Sequence, residues 1–299
     1  MVTKDPMVTL GVDLASQPNK TGVCLIRWDG KKAHIERLAL ETHLDKDDLT
    51  LCQLLRHGYK VDGHKIDKIG IDAPFGWPAC FTAALAEFST SKMWPPDDDS
   101  VCECERKRKL DKRFGKTVFP HLRYRRTDEI VEREMVERWN AMEHRPRQRV
   151  RPLSVSSDRI AAPAMRAVGL LAERLCRGEA VDRSGMTGRF VEVYPAAALA
   201  IWGLRSSGYK GTKQRHVNRR KKLLKDLEGK TGLSVSRDHR ELCWKSDDAL
   251  DALVAALVAR AKARSLCDPI PKTDGDKKSA KEEGWIALPQ EQSLDHLAG

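Results

Sequence analysis

The stretch that most constrains this chain is Val8-Thr9-Leu10-Gly11-Val12-Asp13-Leu14-Ala15. An apolar run this short, rich in β-branched residues and closed by small and turn-forming ones, predicts a buried strand. Asp13 lies inside it. A carboxylate withdrawn from water is costly unless it is paired, hydrogen-bonded or bound to a metal, so its presence needs a reason. A structural hydrogen bond or a turn cap is one such reason. A second strand of the same kind, Ile66 to Ala73, carries Asp72 in the same position near its end. Two strands that each end in aspartate can bring both carboxylates to one rim of a sheet, where α/β proteins usually place their chemistry.

The punctuation around these strands predicts the rest of the core. Ser16 to Gly22 is turn-rich, Val23 to Trp28 reads as a second strand, Asp29-Gly30 as a hairpin turn and Ala33 to Leu40 as a third strand. Leucines at helical spacing predict a helix over Asp45 to Tyr59. Ala73-Pro74-Phe75-Gly76-Trp77-Pro78 forces a rigid turn before a helix over Ala79 to Phe88. Residues 89–151 read as a basic, mostly helical insertion after the fourth strand, built around one helix over Asp128 to Met142 and covering an edge of the site. A long amphipathic helix over Ser157 to Arg177, a fifth strand over Arg189 to Tyr194 and a basic helix over Lys213 to Leu227 follow. The expected architecture is α/β: a mixed five-stranded sheet flanked by helices, beginning as an antiparallel meander.

Met1-Val2-Thr3 recurs as Met7-Val8-Thr9, so residues 1–6 read as a leader and 7–268 as one domain. Residues 269–282 are polar and read as a flexible linker, with Trp285 to Pro289 apolar enough to dock back as a short strand. The last ten residues read as frayed.

The strongest local signal is Ser246-Asp247-Asp248-Ala249-Leu250-Asp251-Ala252-Leu253, followed by Val254-Ala255-Ala256. It predicts a helix, with Ser246 or Asp247 as its cap. Carboxylates at a helix start favour the dipole and cap free amides. That accounts for Asp247, but not for Asp251 on the second turn of a helix that is apolar on nearly every side. Asp248 and Asp251, three apart, face the same way.

Lys and Arg outnumber Asp and Glu by 54 to 43 among 299 residues, a formal charge of +11. The cations gather in blocks at Arg106 to Lys116, Arg123 to Arg126, Arg145 to Arg151 and Arg215 to Lys225. Such blocks suit a polyanion partner, although a solvated basic face has the same composition. No apolar run reaches the length of a membrane span, and the first residues lack a signal-peptide layout, so a cytoplasmic protein with no membrane partner is expected. Eight scattered cysteines read as reduced core residues. Cys102 and Cys104 form a close pair that nothing nearby completes into a zinc site.

Six motifs in order carry a resemblance. Gly11-Val12-Asp13-Leu14-Ala15, Ile71-Asp72-Ala73-Pro74-Phe75-Gly76, Tyr124-Arg125-Arg126-Thr127-Asp128, Glu192-Val193-Tyr194-Pro195, Asp248 to Ala256 and Glu283-Gly284-Trp285-Ile286 together resemble domain of unknown function 429. That family is grouped with predicted RNase H-like nucleases, and the Asp-Ala-Leu-Asp-Ala-Leu spelling is similar to the final helix of RuvC-type resolvases. The resemblance spans about residues 8 to 289. It implies an RNase H-like fold and a metal-dependent nuclease that hydrolyses phosphodiester bonds of DNA or RNA with two Mg2+ or Mn2+ ions. Such hard cations prefer oxygen ligands. The implied metal ligands are Asp13, bridging both ions, with Asp72 on one and Asp248 or Asp251 on the other. Glu192 is a further catalytic candidate, or the partner of a nearby arginine.

Thr127 or Asp128 would make an ordinary N-cap. Arg126 suits a substrate phosphate by its place in the pattern, and Arg125, Arg123 and Lys20 are further candidates for that role. Tyr124 and Trp77 suit either base stacking or a small apolar anchor. Two other readings compete with the nuclease: a non-catalytic nucleic-acid-binding module, and a nucleotide-binding ATPase or kinase-like protein with Ser16 to Gly22 as its phosphate loop. The latter needs a second glycine-rich loop, and this chain has no Gly-Gly.

Overall fold

The computed structural model describes residues 6–30, 32–40, 60–61, 64–91, 119–140, 150–270 and 273–298. The helix expected over 45–59, the Cys102/Cys104 pair, nearly all of the leader and the basic blocks over 106–116 and 145–149 lie outside them.

Six strands form one mixed sheet: β1 (Met7–Asp13), β2 (Gly22–Asp29), β3 (Lys32–Leu40), β4 (Lys68–Asp72), β5 (Phe190–Glu192) and β6 (Leu233–Ser234). Their order is β5-β4-β1-β2-β3-β6. β1, β2 and β3 make the expected antiparallel meander, while β4 runs parallel to β1, β5 to β4 and β6 to β3. The sheet therefore has one strand more than expected. β6 is two residues long, too short to leave an alternating pattern in the sequence, and only its pairing with Ala33 and His34 defines it.

The α-helices of seven residues or more among the described residues are α1 (Ala79–Ser91), α2 (Arg126–Asn140), α3 (Ala161–Cys176), α4 (Pro195–Ile201), α5 (Gln214–Thr231), α6 (Arg237–Lys245), α7 (Asp247–Ala263) and α8 (Asp274–Glu283). Among the described residues no helix is long and apolar enough to cross a membrane.

Both faces of the sheet are covered. Val8, Leu10 and Val12 point to one side, where they join Ala167, Leu170 and Leu171 of α3. The alternate positions face α7. Here the chain needs residues without a side chain: a Cβ on Gly11, Gly22 or Gly70 would lie 2.0, 2.2 or 2.4 Å from the backbone oxygens of Ala252, Asp248 and Ala255. These glycines let α7 lie directly on β1, β2 and β4, and the helix is correspondingly buried from Ala249 to Ala259. With both faces dry, the strands read as nearly continuous apolar runs. Ser246 caps α7, its hydroxyl accepting from the amide of Ala249.

Two expectations for the C-terminal segment are corrected. Residues 274–283 form α8 rather than a flexible linker. Thr273 caps it by accepting from the amide of Asp276, and Ala280 and Glu283 are buried. The last ten residues are not frayed along their length, since Leu294 and Leu297 are buried in the main core. The docking of 285–289 is observed through bridges from Ile286 to Glu192 and from Pro289 to Cys267. α2, expected as part of an insertion at an edge, packs Val131 and Met135 against Ala197, Ile201, Ile286 and Leu288.

Candidate metal centre

The parallel pairing of β1 with β4 sets Asp13 directly opposite Asp72. Both end their strands and share a sheet face with Gly11 and Gly70, because side chains two residues apart point the same way. That face is the one on which α7 lies. Its second turn brings Asp251 against the pair, and one carboxylate oxygen from each of Asp13, Asp72 and Asp251 lies within 4.8 Å of the other two. Asp251 is fully buried, while Asp13 and Asp72 keep some exposure.

Three carboxylates this close repel one another in a poorly hydrated place. Burial, reinforced by the charges of Asp72 and Asp251, holds the Asp13 carboxyl well above its ordinary range. Burial, with Asp251 and Glu192 adding to it, pushes Asp72 up to about 7 against the opposing pull of Lys210. Asp248 stands at the edge of the triad, outside its shared radius. Its carboxyl is raised by burial first and by Asp247 and Asp251 next.

Tyr209 and Lys210, in the loop between α4 and α5, complete the centre. Tyr209 donates its hydroxyl to Asp251 Oδ1 at 2.7 Å. The Lys210 ammonium lies 2.5 Å from Asp251 Oδ2, an oxygen that no hydrogen bond of normal geometry reaches. The charge of Asp251 foremost, then those of Asp72 and Asp13, raises the Lys210 pKa.

The residues present suit a hard divalent cation: every donor is a carboxylate oxygen, and three of them converge on one place. A family described as "Protein of unknown function (DUF429)" matches residues 11–275. The chain belongs to that family. No curated protein and no solved structure matches it significantly.

For this DUF429 chain the structure gathers Asp13, Asp72 and Asp251, places Asp248 beside them, and takes Glu192 away. Glu192 Oε1 accepts from Arg125 Nη2 at 2.6 Å, and Oε2 accepts from Arg125 Nη1 and the amide of Phe75, each at 2.9 Å. Of the two roles considered for it, the arginine partner is the one this arrangement shows, and it is not among the carboxylates gathered in the triad. Arg125 is likewise not a phosphate ligand in this arrangement. Its guanidinium is fully buried, and all five N–H donors are committed to Glu192, Asp128 and the carbonyl of Glu283.

The remaining basic candidates differ in how far they are engaged. Arg126 pairs with Asp276 and Glu129 and is about one-third exposed. Arg123 donates to Ser157 Oγ at 2.8 Å. Lys20 is exposed in the turn after β1, close enough to Asp248 to oppose slightly the rise in its pKa. Asp128 caps α2 from inside the helix, accepting from the amide of Arg125, and Thr127 instead accepts from the amide of Ile286. Tyr124 is a buried anchor with the Arg151 guanidinium over its ring.

Sequence reasoning missed Tyr209 and Lys210. The available signal was weak: a lysine in a short Ser/Gly segment, Ser206-Ser207-Gly208-Tyr209-Lys210-Gly211, remote in sequence from every aspartate it meets.

Proposed function

We propose that this protein is a divalent-metal-dependent nuclease of RNase H-like type, hydrolysing phosphodiester bonds of DNA or RNA with Mg2+ or Mn2+ at Asp13, Asp72 and Asp251. The observation that carries this reading is the convergence of those three carboxylates at the carboxyl ends of two adjacent parallel strands. The mixed sheet that opens with an antiparallel meander supports it, as does the late helix carrying Asp251.

In such a site the cation supplies an activated water and neutralises charge on the phosphate oxygens. The new P–O bond forms from water, the ester P–O bond breaks and the departing oxygen takes up a proton. No redox partner is consumed. Asp13 and Asp72 would hold the cation from the sheet and Asp251 from the helix, and Tyr209 fixes the orientation of Asp251 through its hydroxyl. α5 begins shortly after Lys210 and exposes Arg215, Lys222 and Lys225, a basic surface suited to steering a polyanion.

The test is cleavage of single-stranded, double-stranded, hybrid and branched substrates with Mg2+, Mn2+ or EDTA, comparing wild type with Asp13→Asn. Cleavage that requires the cation and disappears in Asp13→Asn is expected. Equal binding by both proteins without cleavage would replace the nuclease with a binding module. ATP hydrolysis by the same samples would favour the kinase-like alternative.

A further inference from the structure

Lys210 brings an ammonium into direct contact with the carboxylate triad. Its ammonium meets Asp251 Oδ2 at 2.5 Å, while its side chain is 53 % exposed, so it reaches in from the mouth of the site. The loop that presents it is not loosely held. Arg220 is fully buried, and its Nη1 donates to the carbonyls of Tyr209 and Gly211 at 2.5 and 2.9 Å, on either side of Lys210. The Nε and Nη2 of the same guanidinium donate to the carbonyl of Trp244 at the end of α6. Arg219 adds a bond to the carbonyl of Gly208 at 2.9 Å. A buried arginine spent on two loop carbonyls fixes the backbone of Lys210, and Tyr209 fixes the carboxylate that Lys210 meets.

Charge counting leads to the same place. The three ionised carboxylates need counter-charge, and the ammonium of Lys210 already supplies part of it from within the chain. The ammonium already occupies the open side of Asp251 Oδ2, an oxygen that a second divalent ion would have to share. Like charges crowded in a poorly solvated site are strongly disfavoured.

We infer that Lys210 is the built-in second cation of this centre, so that the protein binds one divalent metal ion per chain instead of two. This rests on the metal-site reading above and makes it more specific. During hydrolysis the ammonium stands beside the phosphate, offering a fixed positive charge to the oxygens on which negative charge grows.

The experiment is Mn2+ binding to the full-length protein, by isothermal titration and by electron paramagnetic resonance of the bound ion. It compares wild type, Lys210→Met, Lys210→Arg and Asp13→Asn. The expected result is one ion in wild type and in Lys210→Arg, and two in Lys210→Met with the signal of a spin-coupled pair. Weakened or lost binding is expected in Asp13→Asn. Lys210 is largely exposed, and the charge-preserving Lys210→Arg controls for folding. Two ions in wild type, or no additional ion in Lys210→Met, would overturn the role of Lys210 and leave the metal site standing. Absence of any bound ion in wild type would overturn the metal site and this inference together.

Discussion

Two buried ionic clusters lie side by side at the ends of β4 and β5, and they are built on opposite principles. Around Arg125 every charge has its partner. The guanidinium bridges Asp128 and Glu192, Glu192 also accepts from Phe75, and Glu283 accepts from the amides of Ala79 and Arg126. This cluster ties α2, β5, the turn after β4 and the end of α8 into one unit. Around Asp13 three carboxylates face a single ammonium, and the result is a standing excess of negative charge. A saturated ionic network is a structural clasp. An unsaturated one of like sign is a place made for something that is not part of the chain.

Breaking the clasp should produce the largest effect. Arg125→Met leaves Asp128 and Glu192 buried without their counter-charge, and removing one partner of such a network costs about 3–5 kcal/mol. A drop of that size in urea-unfolding free energy is expected. A variant as stable as wild type would show that the two clusters do not differ as described.

At the triad the sign reverses. Asp13→Asn removes one of three repelling charges, so the cation-free protein should become more stable by about 0.5–2 kcal/mol, the usual range for a stabilising substitution. Thermal unfolding in EDTA reads this directly. The same variant should lose most of the stabilisation that Mn2+ gives wild type, because a ligand stabilises only the state that binds it. Destabilisation in EDTA would mean that Asp13 is a structural partner.

The smallest effect is a slope. Asp72 is pushed up to about 7 in the folded chain, above its ordinary value of 3.8. A group whose folded pKa is raised contributes its stability while protonated, fully below pH 4, and loses it as pH rises towards 7. Cation-free wild type should therefore lose stability between pH 4 and 7 relative to Asp72→Asn, by about 1 kcal/mol or more after screening at the open mouth. Mn2+ should reverse the sign of the wild-type slope, because a carboxylate that binds the cation must be deprotonated and its contribution then grows as pH rises. Identical slopes in EDTA would remove Asp72 from the repelling set.

Much of this centre was legible residue by residue. Asp13 and Asp72 declared themselves because a carboxylate inside a short apolar strand has no cheap explanation. Asp251 did so because capping stops at the first turn of a helix. Other features left no local trace. α8 is polar along nearly its whole length, and its burial comes from Arg126, which holds Asp276, and from the amides that Glu283 accepts. The Arg215 to Lys225 block read as a uniform basic surface, yet Arg220 within it is fully buried and clamps the loop of Lys210. Residue type alone does not distinguish a solvated arginine from one that satisfies carbonyls.

The sequence by itself determined five of the six strands, the aspartates that end β1 and β4, and the buried α7, because each follows from local pattern and the cost of burying a charge. The tertiary structure decided the pairing. It put Asp13 opposite Asp72 through strand register, gave Glu192 to Arg125 instead of to the triad, and delivered Lys210 to Asp251 from a loop 41 residues earlier in the chain. Which charges meet depends on contacts between residues far apart in sequence. Only the packed chain fixes those contacts, because the energy of an ionic group lies almost entirely in its neighbours and its distance from water.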